Sequence, residues 1–312
     1  MHQVLLIVPT LNAGEFWPRF IEGVKQQKTH PAIDLHVLVI DSGSSDDTVK
    51  LALEAGFEVQ FIKTTEFDHG GTRQHALGFA KEGQAFALFL TQDAIFARDD
   101  ALMELLMAFE DPQIALVYGR QLPHIGATPL AAQARLFNYP EYSLVKRYED
   151  RATVGIKAAF CSNSFAMYRI RALQEVGGFP LKTILGEDML VAAKLLKLGY
   201  SVRYEAKAQV FHSHNYSCIQ EFKRYFDTGV FHFESRMILD EFGGVGNEGI
   251  KNFRAQLALL DGFHGLRKVV FLIDVFLRNT LKYIGYQLGR HHNLRPIGLK
   301  KSFSRFNGYW NH

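Results

Sequence analysis

The 312 residues are 47% hydrophobic and 21% charged, which allows one large α/β domain plus an appendage and excludes wholesale disorder. Only two cysteines occur, Cys161 and Cys218; this excludes a disulfide framework or cysteine–zinc cluster and points to a reducing, cytoplasmic compartment. The net charge of +3 hides an asymmetry, because residues 251–312 carry eleven Lys/Arg against Asp261 and Asp274 only, while the rest of the chain is net acidic.

The chain opens on a short apolar run, 4–8, stopped by Pro9. It lacks the length and basic flank of a secretory signal and reads as a strand. Strand-length apolar runs at 35–40, 58–62, 85–90 and 114–118 alternate with helical patterns at 15–27, 46–55, 72–82 and 99–109. This alternation predicts right-handed βαβ units and an α/β fold with a mixed, mostly parallel sheet flanked by helices. In such a sheet, ligands bind beyond the carboxyl ends of the strands. The polar clusters fall there: Pro9-Thr10-Leu11-Asn12 after the first run, Asp41-Ser42-Gly43-Ser44-Ser45-Asp46 after the second, and Thr91-Gln92-Asp93-Ala94 after the fourth.

Further along, 130–148 reads as helical, 164–168 as a strand, and 169–176 as a helix closed by Gly177-Gly178. A helix over 186–198 begins with Glu187 and Asp188, and two short strands, 202–204 and 208–211, lead into His212-Ser213-His214. Helices follow over 216–233 and 266–290. The best membrane-span candidate, 269–288, is interrupted by Asp274, Arg278 and Lys282, so no span is expected. A basic, partly apolar tail on an acidic body suits a membrane surface or a lipid-linked phosphate better than nucleic acid.

Singly, these clusters have both chemical and plain structural readings. Asp41 can accept hydrogen bonds from a base or ribose, or simply close a strand–turn–helix. Asp93 suits a divalent cation shared with substrate phosphates, or a loop before a helix. Glu187 and Asp188 can supply a general base, or complement the positive end of their helix, whose dipole would lower their pKa values. His212 and His214 can complete a metal's coordination, or be hydrogen-bonded loop residues. His69-Gly70-Gly71-Thr72-Arg73-Gln74 can contact a phosphate or base, or form a glycine turn.

Their order is more specific, and over residues 1–235 it resembles family 2 of the glycosyltransferases. The forms FDHGGTRQ, LTQDA, CSNSFAMYR and HSHNYS look like the bacterial rhamnosyltransferase branch. The resemblance implies a GT-A fold and inverting transfer of L-rhamnose from dTDP-L-rhamnose to a lipid-linked surface glycan such as O-antigen. It divides residues 1–235 into a nucleotide-sugar half (1–125) and an acceptor half (126–235); beyond them, the charge balance and apolar residues of 236–312 predict a helical, basic C-terminal region touching the inner membrane surface. Thr10 and Asp41 match positions contacting the base and ribose, and Arg73 matches a base- or phosphate-contacting arginine. Pro9, Asn12, Ser42, Gly43 and Gln92 complete the expected nucleotide-sugar set. Asp93 matches the last carboxylate of a metal-binding Asp-x-Asp motif, implying Mg2+ or Mn2+, with His212 as metal-associated histidine and His214 its close alternative. Asp188 matches the catalytic base, with Glu187 beside it. Thr91 departs from the pattern, standing where the first aspartate of Asp-x-Asp belongs. The alternatives are a transferase of the same fold using a UDP- or GDP-sugar, and a non-catalytic sugar-nucleotide binder. A Rossmann oxidoreductase is disfavoured because the first turn has no Gly-x-Gly-x-x-Gly.

Overall fold

Alternation along the first strand sets the architecture. Val4, Leu6 and Val8 face one core while Leu5 and Ile7 face another, as the two-residue period of a strand requires. The computed structural model describes residues 1–244 and 246–311. Nine strands form one sheet: β1 (His2–Thr10), β2 (Ile33–Asp41), β3 (Glu58–Phe61), β4 (Phe86–Leu90), β5 (Ile95–Phe96), β6 (Ile114–Leu122), β7 (Leu144–Lys146), β8 (Phe165–Arg169) and β9 (Ser201–Phe211). Their order is β3-β2-β1-β4-β8-β6-β9-β5, and β7 also pairs with β9. Helices Trp17–Lys28 and Ala101–Met107 cover one face; Glu187–Lys197 and Cys218–Glu234 cover the other.

The direction of β8 positions the site. β1, β2, β3 and β4 are mutually parallel, and β6 and β9 are parallel to each other, but β8 runs antiparallel to both β4 and β6. The amino end of β8 therefore lies at the same rim as the carboxyl ends of β1, β2, β4, β6 and β9. At that rim Thr10 is level with Asp41, Leu90 with Phe165, and Leu122 with Phe211.

Two sequence expectations are corrected. The stretch 130–148 is a helix only over Pro129–Asn138, because Pro140 cannot continue it; the chain then forms β7. The strands expected at 202–204 and 208–211 are one strand, β9, whose extra residues bulge where Gly119 pairs with Glu205 and Arg120 with Gln209.

The C-terminal region is helical, with segments Arg236–Phe242, Gly246–Ala258, Gly265–Arg290 and Ile297–Phe303; Val245 and His312 of the expected basic region lie outside the described residues. Gly265–Arg290 lies against Cys218–Glu234 so closely that side chains are excluded. A Cβ at Gly289 would come within 2.0 Å of the Phe226 carbonyl oxygen, and one at Gly285 within 2.5 Å of that of Phe222. Arg278 pairs with Asp274 at 2.8 Å and Glu221 at 3.5 Å, and Lys282 with Glu221 at 3.3 Å. Among the described residues, no helix is long and apolar enough to cross a membrane.

Candidate active site

The first two βα turns are knotted by Asp41. Its Oδ1 accepts from Thr10 Oγ1 at 2.9 Å and Ser44 Oγ at 2.5 Å, and its Oδ2 accepts from the backbone N–H groups of Gly43 and Ser44. The carboxylate is 1% exposed, so the structure spends on its own turn the acceptor capacity that sequence reasoning assigned to a base or ribose. Gly43 adopts φ 102°, which favours glycine, and Ser42 Oγ donates to the Thr10 carbonyl. Asn12, also at positive φ, is exposed and accepts from the Ser45 N–H. Pro9 sits within β1 one residue before the turn. Gln92 grips the backbone of Leu11 through both ends of its amide, at 2.8 and 3.1 Å. Leu11, Asn12 and Gln92 thus form the accessible lip of this turn, with Thr10, Asp41 and Ser42 beneath it.

Across the rim, Asp93, His212 and His214 bring one ligand atom each to within 4.8 Å of one another. His212 Nε2 is 3.5 Å from Asp93 Oδ1, and His214 Nε2 is 3.7 Å from Oδ2. Gln121, at the end of β6, holds His212 Nδ1 at 2.8 Å through Oε1, an oxygen that also accepts from Arg135. Nδ1 is therefore the protonated nitrogen, and Nε2 presents its lone pair toward Asp93. Burial pulls His212 down to about 3 and His214 to about 4, so both imidazoles are neutral near pH 7. Burial works to raise the Asp93 carboxyl, but in the acid range, where the two imidazoles take up protons, their charge outweighs it and holds the carboxyl below its ordinary range. One carboxylate and two neutral imidazoles are a chemically suitable donor set for a divalent cation.

The third group lies at the amino end of β8. Asn163 donates its backbone N–H to Asp188 Oδ2 at 3.1 Å and its side-chain amide to Glu187 Oε1 at 3.0 Å, and accepts from Tyr168 Oη at 2.7 Å. Gly186, at φ 77°, makes the turn into the helix, where any Cβ would strike the Phe231 ring. Glu187 is buried against Arg73, 3.2 Å away, and Arg73 also donates to the His69 carbonyl. Sequence reasoning put Arg73 on a base or phosphate; the structure buries it at 4% exposure against Glu187. Burial works to raise the Glu187 carboxyl, but Arg73 and His69 prevail and hold it low. Asp188 goes the other way, raised to about 7 by burial and by the neighbouring Glu187 charge. The lowering expected from the helix end is overridden.

Sequence reasoning missed Asn163, Gln121 and Arg135, and also His124, which stacks on Phe16 and contacts the Asp93 carbonyl. Asn163 lies inside the CSNSFAMYR motif, but nothing local marks it as the residue that reaches Asp188.

A model of glycosyl transferase family 2 matches residues 5–177. The chain belongs to glycosyl transferase family 2. This glycosyltransferase is 45% identical over 311 residues to the O-antigen chain rhamnosyltransferase RfbN of Salmonella typhimurium, covering 99% of this chain and 96% of that protein. It is 44% identical over 313 residues to the O-antigen chain rhamnosyltransferase WbaN of Salmonella anatum, covering 100% and 96%. Among solved structures, the mannosyltransferase PcManGT from Pyrobaculum calidifontis, in complex with GDP-Man and Mn2+, is similar with a TM-score of 0.63 at 16% identity, covering 94% of this chain and 88% of that one. That likeness is one of fold, and the fold of this glycosyltransferase is GT-A.

The Arg73–Glu187 pair generates a stability prediction. Glu187→Ala strands a buried guanidinium and should lower the unfolding free energy by about 3–5 kcal/mol in chemical denaturation. Wild-type stability in that variant would remove the pair from its structural role.

Proposed function

We propose that this glycosyltransferase moves L-rhamnose from dTDP-L-rhamnose, with inversion, to a hydroxyl of a growing O-antigen-type glycan carried on a polyprenyl diphosphate. The observation that carries this reading is the meeting, at one rim of the sheet, of the Asp93–His212–His214 cluster and Asp188. The sugar and the glycan are suggested by two relatives, matched over nearly their whole length, that are named O-antigen chain rhamnosyltransferases. The dTDP carrier rests on the sequence resemblance.

In this reading residues 1–125 bind the donor and 126–235 the acceptor. The nucleotide lies along Leu11, Asn12 and Gln92, with Pro9, Thr10, Asp41, Ser42 and Gly43 shaping the backbone below. Asp188 takes the proton of an acceptor hydroxyl. The freed oxygen bonds to the anomeric carbon as the opposite bond, to the diphosphate oxygen, breaks, leaving dTDP. Asp93, His212 and His214 would hold Mg2+ or Mn2+, which when bound supplies positive charge to the departing diphosphate. Glu187 acts through Asp188: its charge raises the proton affinity of the base, and Arg73 keeps Glu187 ionised.

Three measurements test this. In a thermal-shift panel, dTDP-L-rhamnose should raise the melting temperature more than UDP- or GDP-sugars, and Asp93→Ala should reduce both that shift and its response to Mn2+. Preference for a UDP- or GDP-sugar would move the assignment to another donor. Asp188→Asn should cut turnover about 100-fold or more with little change in donor affinity. Because the base works only when deprotonated, wild-type kcat/KM should fall as the pH drops through about 7. An acid limb in the ordinary carboxylate range instead would argue against Asp188 as the base.

The membrane contact of the C-terminal region belongs to the same reading. Leu266, Val270, Ile273 and Leu277 are each 48–77% exposed and recur at helical spacing on Gly265–Arg290, with exposed Arg267 and Lys268 beside them. Arg278 and Lys282 are tied to Glu221 and Asp274, so the contact rests on this first half of the helix rather than on the whole basic tail. An apolar stripe with adjacent cations suits an anionic lipid surface. Wild-type protein should sediment with vesicles containing an anionic phospholipid, and Ile273→Glu should not. Vesicle binding that survives this change, or a dimer that it dissolves, would overturn the assignment.

A further inference from the structure

Three guanidinium groups from distant parts of the chain converge beside the Asp93 cluster. Arg135, on the helix Pro129–Asn138, donates at 2.5 Å to the Gln121 oxygen that holds His212. Arg224, on Cys218–Glu234, donates to Tyr216 Oη at 3.2 Å. Arg305, in the C-terminal tail, lies 4.7 Å from the centre of the Tyr216 ring, which itself stacks on His214 at 5.0 Å. None of the three pairs with a carboxylate among the described residues, and Arg135 Nε is buried without a hydrogen-bond partner.

The tail that brings Arg305 is fixed on both sides of it. The Arg305 N–H donates to Asp227 Oδ2 at 2.9 Å, Ser304 is buried, and the Phe306 ring meets His69 edge-on at 4.7 Å. His69 opens the helix that carries Arg73, so the tail runs from the His214–Tyr216 stack toward the Arg73–Glu187 pair. The backbone is pinned while the charged head of Arg305 stays exposed. Gathering like charges costs energy that an anion between them would recover.

We infer that Arg135, Arg224 and Arg305 form a diphosphate subsite adjoining the Asp93–His212–His214 cluster. Guanidinium forks match phosphate oxygens in geometry as well as charge, and three of them suit the multiple charges of a diphosphate better than a single carboxylate. The glycosyltransferase reading offers two carriers of that group: the nucleoside diphosphate of the donor and the lipid diphosphate of the acceptor. The inference rests on that reading only for which carrier arrives.

Calorimetric titration of the full chain with dTDP, dTMP and a short polyprenyl diphosphate, each with and without Mn2+, tests the subsite. Arg305→Ala and Arg224→Ala should each weaken one diphosphate about tenfold while leaving dTMP unchanged, and Arg305→Lys should recover part of the loss. Loss confined to dTDP assigns the donor, and loss confined to the polyprenyl diphosphate assigns the acceptor. The subsite is overturned if the wild type binds neither diphosphate, or if both alanine variants match it for both ligands. Equal weakening of dTMP, or a lowered melting temperature in Arg305→Ala that Arg305→Lys shares, would reduce the arginines to a structural role. Arginine-dependent diphosphate binding without rhamnosyl transfer would instead sink only the proposed donor and acceptor.

Discussion

The buried contact between Arg73 and Glu187 ties the helix His69–Leu77 to the helix Glu187–Lys197 and fixes the electrostatics around Asp188. Both side chains are almost completely enclosed, so neither charge has water as an alternative partner. A pair of this kind adds little net stability compared with an apolar substitute, yet breaking it is expensive. Its effect on the neighbouring residue is larger than its effect on the fold. With Arg73 keeping Glu187 ionised, the adjacent Asp188 is pressed toward its protonated form, and its proton affinity rises into the neutral range. Two consecutive carboxyls at a helix start thereby acquire opposite properties.

The carboxylates of the rim also differ in what their neighbours leave free. Asp41 accepts four hydrogen bonds within its own and the adjoining turn and is almost wholly buried. Asp93 faces two neutral imidazoles, and the Nε2 of His212, whose Nδ1 proton is held by Gln121, has no proton to donate, a situation that an added cation would satisfy. The antiparallel course of β8 makes their combination with Asp188 geometrically available. Had β8 run parallel to β4, Asn163 would stand at the opposite edge of the sheet, and the Asp188 carboxylate could not be anchored at this rim.

The C-terminal region contributes by contact more than by charge. Glycines at 229, 285 and 289 allow two helices to meet backbone to backbone, and ion pairs along the same seam consume part of the basic excess visible in the composition. Among the cations outside those ion pairs, Arg267 and Lys268 lie beside an apolar stripe on the first half of the long helix, and Arg305 is held over Tyr216 by the tail.

The strand–helix alternation, the glycine-bearing turns and the polar clusters after strands one, two and four could be read from the sequence because they depend on local periodicity and turn chemistry. Asp93, Asp188, His212 and His214 could be picked out only by the order of their motifs, which resembles that of family 2 glycosyltransferases, because each cluster by itself has an ordinary structural reading. The length of the helix after 129 and the bulge joining the two halves of β9 were not legible, since one turned on a proline outweighing a helical pattern and the other on cross-strand register. Only the tertiary structure decided that Arg73 faces Glu187 rather than solvent, that Asp41 is saturated by its own turn, that Asn163 holds Asp188, and that Arg305 lies beside His214 and Tyr216. Those outcomes follow from burial and from partners as far as 114 residues apart for Arg73 and Glu187, quantities that no local window of sequence contains.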